Sequence, residues 1–133
     1  MDDVRIGSRG GSLVLVPHEE DVSVMVRLEA ERLSAFTRPR DRYDLRGLPE
    51  YFEELAARSV TGWQRSQDWE SLEGDIRITA TCQDRRVVLG VQLRNECAEP
   101  ANQGWVAHLD VTLDPGEELR RAATGVWHLL GAP

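Results

Sequence analysis

The sequence predicts an α+β protein: a curved antiparallel sheet, made of hairpins and a three-strand meander, with two helices packed on one side. Three observations carry that prediction. Residues 76–113 hold three successive segments of period-two alternation joined by polar links, the pattern of strands buried on one face. Residues 48–59 and 114–130 instead repeat their apolar side chains at helical spacing. At 133 residues the chain fits one domain, residues 1–133, in which about two-thirds of the unfolded surface can be buried.

Val4 to Ile6 and Leu13 to Val16 are short β-prone runs around Ser8-Arg9-Gly10-Gly11, a hairpin turn whose two glycines permit positive φ. Val22, Val24, Val26, Leu28 and Ala30 then alternate with Ser23, Met25, Arg27, Glu29 and Glu31 as a half-buried strand. Leu33 to Tyr43 returns beside it after a turn at Glu31-Arg32, and Pro39 marks that return as an edge strand or a bulge. Leu48 to Ser59 is a helix, with Leu48, Phe52, Leu55, Ala56 and Ser59 on one face, Pro49 in the first turn and Gly62 placed to end it.

The meander follows. Ile76, Ile78, Ala80 and Cys82 form its first apolar face, Val87, Leu89, Val91 and Leu93 its second, and Trp105, Ala107, Leu109, Val111 and Leu113 its third. Gln83-Asp84-Arg85 is a link of hairpin length. Asp114-Pro115-Gly116-Glu117 has the form of a capping box and opens a second helix, with Leu119, Ala123, Val126, Trp127 and Leu130 as its buried stripe. Gly125 interrupts that helix and suits close packing against a strand.

Composition narrows the function classes. With 41% apolar and 29% charged residues, no apolar run of membrane-spanning length and no leader at Met1, the expectation is a soluble, cytoplasmic chain without membrane attachment. Twenty-three acidic residues against sixteen basic ones give a net charge of −7, which disfavours nucleic acid and suits a basic partner. Cys82 and Cys97 are too few for a zinc site. They are expected as free thiols, with a disulfide left open, and Cys82 falls in phase with the buried side of its strand.

No residue pattern specifies a catalytic, metal or cofactor site. His18, His108 and His128 lie on a loop, a strand and a helix, with no metal-ligand spacing among them. The candidate binding residues are surface groups. His108 and Asp110 share a strand face, where Arg94, Gln92, Arg77 and Thr79 are potential neighbours. Asp68, Glu70 and Glu73 flank Trp63 and Trp69, and aromatic residues ringed by acids suit an arginine- or lysine-rich protein partner. Either tryptophan can equally be a core plug under the helix end, the role favoured for Trp69, with Leu72 beside it anchoring helix to sheet. Arg38, Arg40, Arg42 and Arg46 form a basic island that reads first as protection of an edge strand.

Leu48-Pro49-Glu50-Tyr51-Phe52 with Leu55, then Gly62-Trp63, Trp69-Glu70-Ser71-Leu72-Glu73-Gly74 with Ile76 and Ile78, and Val87, Leu89, Val91 and Leu93 resemble a family of small actinobacterial proteins of unknown function. Arginine as the sole basic residue suits the same GC-rich origin. The pattern is more distantly similar to WapI-type immunity proteins of bacterial toxin systems. Where such proteins often carry aspartate, glycine and histidine after the meander's first strand, this chain reads Gln83-Asp84-Arg85-Arg86, so no glycine-histidine role transfers.

The resemblance implies a non-enzymatic protein-binding module of immunity or accessory type that blocks a toxin, and the acidic charge fits a basic target. The alternative is a small-molecule-binding protein or enzyme, with a pocket between sheet and helices and His108 and Asp110 in it. A homodimer through an exposed strand or sheet face is a third reading.

Overall fold

A computed structural model describes residues 3–8, 10–17, 24–39, 42–58, 63, 65–95 and 104–131, with 42 and 43 as backbone only. In chain order the elements are β1 (Val4–Ser8), β2 (Gly11–Pro17), β3 (Val24–Ala30), β4 (Leu33–Thr37), a 3-10 turn (Arg42–Leu45), α1 (Leu48–Arg58), β5 (Gln67–Glu70), β6 (Ile76–Gln83), β7 (Arg86–Asn95), β8 (Trp105–Leu113) and α2 (Glu117–Leu130). The protein is α+β, and its strands divide into two antiparallel sheets of order β1-β2-β3-β4 and β5-β6-β7-β8. The expected meander is β6, β7 and β8. β5, too short to be read from alternation, adds a fourth strand at its edge.

β3, β6 and β7 bury the side their alternation marks over most of their length, whereas Gly11 to Leu15 of β2 are buried in succession. Val24, Val26 and Leu28 of β3, Ile76, Ile78 and Ala80 of β6, and Val87, Leu89, Val91 and Leu93 of β7 are at most 2% exposed. Together with Phe52 and Leu55 of α1 and Leu119 and Val126 of α2 they form one core cluster drawn from both sheets and both helices. Both sheets thus contribute side chains to the same hydrophobic cluster.

The sheets meet where side chains are smallest. β1 and β2 lie against β8. A Cβ on Gly7 would stand 2.7 Å from Val111 Cγ1 and 2.4 Å from the Gly11 carbonyl oxygen, and Gly7 has φ +114°, a conformation L-residues rarely adopt. The positive φ thus falls on Gly7 rather than on Gly10 or Gly11 of the turn. Gly125 has the close approach its sequence context suggested, since a Cβ there would meet Val4 Cγ1 of β1 at 2.9 Å. In the β6–β7 hairpin, Asp84 and Arg85 supply the two positive φ values (50° and 66°) of a two-residue type I′ turn without glycine.

Four local expectations are corrected. α2 begins at Glu117 with Gly116 at the N-cap and no side-chain cap, so Asp114 stands two positions before the cap, its carboxylate 3.9 Å from Arg86 Nε. The buried stripe of α2 is Leu119, Ala122, Ala123, Val126 and Leu129. Trp127, about 100° round the helix from Val126, sits at the rim and is 37% exposed. Cys82 is exposed, because β5 pairs with β6 only as far as Ala80 and the end of β6 overhangs it. The return strand ends at Thr37, so Arg38 and Pro39 follow it rather than sit within it. Val22, Ser59, Gly62, Cys97 and His18 lie outside the described residues.

On the outer face of the first sheet, Glu29 binds two guanidinium groups, Arg27 Nη1 at 2.8 Å and Arg5 Nη1 at 3.0 Å. Arg5 Nη1 also donates to the buried Ser12 Oγ at 2.8 Å. The hydrogen bond from Arg27, then that from Arg5, holds the Glu29 carboxyl below its ordinary value of 4.5.

Gly7→Ala is expected to cost about 2 kcal/mol or more in chemical denaturation, from strained φ and backbone overlap together; an unchanged midpoint would mean the junction tolerates a Cβ. Since the folded-state pKa of Glu29 is depressed, its stabilisation is complete above the ordinary carboxylate value and is lost as pH falls through the folded value. Glu29→Gln is therefore expected to lower stability at neutral pH and to converge with the parent protein under acid. Denaturation midpoints across the acid range would refute this if the gap stayed constant.

Candidate functional site

The second sheet presents a continuous face to solvent. Alternation turns Asp68 and Glu70 of β5, Arg77 and Thr79 of β6, Gly90, Gln92 and Arg94 of β7, and His108, Asp110 and Thr112 of β8 away from the core. Register then sets these residues in rows across the sheet. One row reads Asp68, Thr79, Gly90, Asp110, and the next Glu70, Arg77, Gln92, His108. At strand spacings of about 4.8 Å the rows are roughly 14 Å long.

His108 Nε2 lies 2.9 Å from Asp110 Oδ1, and the two side chains are 59% and 65% exposed. They fold over Gly90: a Cβ at that position would be 3.4 Å from His108 Cε1 and 3.6 Å from Asp110 Oδ1. The glycine thus leaves the flat space in which the imidazole lies along its own strand. Arg77 reaches Glu70 at 3.4 Å in the same row. Pairs this exposed contribute little to stability. What they offer is a set of directional donors and acceptors, of both charges, fixed on a rigid sheet.

Five of the seven candidate residues therefore share this face: Asp68, Glu70, Arg94, His108 and Asp110. Glu73 is exposed in the β5–β6 turn, outside the rows. Trp63 is half-buried, packs against the core and donates its Nε1–H to the Ala80 carbonyl oxygen at 3.3 Å, so it is held inward rather than offered as an anchor. Trp69 has the inward role expected of it, donating to the Arg46 carbonyl oxygen at 3.1 Å. Leu72 does not. Its side chain is 61% exposed, and only its backbone N–H ties it inward, to the Asp44 carbonyl oxygen at 3.0 Å.

Tyr51, which the sequence did not single out, completes the underside of β5. Its hydroxyl donates to the Gln67 carbonyl oxygen at 2.7 Å. Burial, and next the negative charge of Asp68, push its pKa far above the ordinary tyrosine value. Of the basic island, Arg38 and Arg46 are exposed, Arg40 lies outside the described residues, and Arg42 is described as backbone only.

Among the clefts lined by described residues, two larger ones lie away from this face. One of about 400 Å³ runs between α1 and α2, lined by residues that include Glu53, Arg120, Trp127 and His128. Another, of about 500 Å³, opens beside β4. Phe36 and Trp105, both lining the second, were not legible as site residues, because β4 alternates poorly and Trp105 reads as the first core residue of its strand. Among the described residues no group of three or more His, Cys, Asp or Glu could hold a metal ion, and no helix is long and apolar enough to cross a membrane.

Residues 12–133 match the model of a family of unknown function (DUF6228), and the chain belongs to that family. No curated protein and no solved structure matches it.

With its ring against the core and its indole N–H bonded, Trp63→Ala is expected to destabilise the fold by about 2–3 kcal/mol, somewhat less than a fully buried tryptophan. A variant of parental stability, measured by urea denaturation, would return Trp63 to the surface.

Proposed function

We propose that this member of a family of unknown function is a non-enzymatic protein-binding module of immunity or accessory type, whose recognition surface is the outer face of β5 to β8. The observation that carries the reading is the convergence of Asp68, Glu70, Arg94, His108 and Asp110 on one exposed, rigid face. Acids stand at both margins of that face, in a chain of net charge −7, and this suits a basic partner drawn in by complementary fields. Likeness of the sequence pattern to WapI-type immunity proteins supports a toxin as that partner, met in the cytoplasm and blocked by coverage of its active surface.

A small-molecule ligand is the second reading. The groove between α1 and α2 favours it, being of a size that such ligands occupy. His108 and Asp110, exposed on the sheet, contribute nothing to that groove.

Co-expression with the products of neighbouring genes, followed by size-exclusion chromatography, is expected to yield a stoichiometric complex. Asp68→Arg combined with Asp110→Arg should weaken that complex by about tenfold or more while leaving thermal unfolding unchanged. The proposal fails if no complex forms, or if the complex is indifferent to both substitutions.

A further inference from the structure

β4 has a strand neighbour on one side only: among the described residues it pairs with β3 alone. Ala30 and Leu33 flank a two-residue turn, so Leu33, Ala35 and Thr37 exchange hydrogen bonds with β3. By the alternation of an antiparallel ladder, the N–H and C=O groups of Ser34 and Phe36 point away from it. The cleft of about 500 Å³ is lined by Ser34, Ala35, Phe36, Thr37 and Arg38 in succession. Side chains alternate across a strand, so a cleft touching five consecutive residues runs along the strand's edge. Its remaining lining is Asp75, in the turn before β6, and Asn95 and Trp105 at the facing ends of β7 and β8.

Such edges are ordinarily guarded by charge, proline or a bulge. The strand Leu-Ser-Ala-Phe-Thr carries neither charge nor proline, and Arg38 and Pro39 come after its end. Phe36 is 56% exposed and Trp105 36%, two aromatic residues left in water at one cleft.

We propose that the β4 edge takes up an extended segment of a partner protein as a fifth strand of the first sheet. The segment's backbone bonds to Ser34 and Phe36, an apolar side chain packs on Phe36 and Trp105, and a carboxylate meets the exposed Arg38. Five consecutive residues of one strand line the cleft, so its shape matches a single extended segment, with Arg38 placed for a carboxylate on that segment. This surface is separate from the outer face of β5 to β8, and neither inference depends on the other.

The probe is a displayed library of random dodecapeptides panned on the full chain. Selected peptides are then synthesised and titrated into isotope-labelled protein by NMR. Amide shifts are expected to concentrate on residues 33–38, 95 and 105. Ser34→Pro, which removes an outward N–H but no bond to β3, should weaken binding about tenfold or more. Arg38→Glu should weaken acidic peptides selectively, and Asp68→Arg with Asp110→Arg should leave every peptide unaffected. Should Ser34→Pro fail to fold, peptides N-methylated at alternate residues replace it: one alternation abolishes binding and the other preserves it. The proposal is overturned if the shifts lie elsewhere, if both N-methyl series bind alike, if no peptide is selected, or if light scattering shows a dimer that peptides dissociate, which would make a second copy the occupant.

Discussion

Two four-stranded sheets share one core because the backbone of the first hairpin can come close to β8, and that approach is permitted by hydrogen atoms where other residues carry a Cβ. Gly7 lets Val111 enter the hairpin, and Gly125 lets α2 settle on Val4 of β1. Were either contact held a side chain further apart, the buried faces of β1, β2 and β8 would lose the close packing that makes dispersion and burial effective. The glycines contribute no apolar area themselves. They set the distance at which Ile6, Leu13, Leu15, Val111 and Leu113 become mutual core neighbours.

The second sheet is tied to the first helix by hydrogen bonds rather than by volume alone. β5 receives the Tyr51 hydroxyl on the Gln67 carbonyl and sends the Trp69 indole N–H to the Arg46 carbonyl just before α1. The turn after it donates Leu72 N–H to the Asp44 carbonyl and closes through Ser71, whose backbone N–H donates to the Ile76 carbonyl and whose hydroxyl accepts from the Ile76 N–H. The bond between Ile76 N–H and Ser71 Oγ is buried, where an unpaired group would be costly; the others fix the position of β5 at the rim of the core. With its inner side fastened in this way, β5 can hold Asp68 and Glu70 outward in a fixed register with β6.

Charge is distributed differently over the two sheets. On the first, Glu29 binds both Arg5 and Arg27, and Ser12 and Val14 beside them are buried. That cluster is turned on itself and suits a structural role. The outer face of the second sheet spreads its charged and polar groups in rows along four strands, with the His108–Asp110 pair lying over Gly90. An incoming surface can meet such rows without first breaking a buried network, which is the physical ground on which that face is proposed for recognition.

The strands β3, β6, β7 and β8, the helix α1 and the inward turn of Trp69 were legible in the sequence, because burial on one side of a strand or helix leaves a period that a linear reading detects. So was the shared face of His108 and Asp110, since residues two apart on a strand point the same way. Features set by neighbours distant in the chain were not. Asp114 has the form of a cap but faces Arg86 instead. Cys82 is in phase with the core but overhangs the end of β5. Trp127 sits about 100° from the centre of its helix's buried arc, and Trp63 is drawn inward by a carbonyl seventeen positions away. Periodicity along the chain carried the α+β class and the apolar side of β3, β7 and α1, and the motif pattern pointed to a family of unknown function. Which elements lie next to one another, and therefore which polar groups share a face and which strand edge has no partner among the described residues, follows from contacts between residues far apart in the chain, which no local pattern encodes.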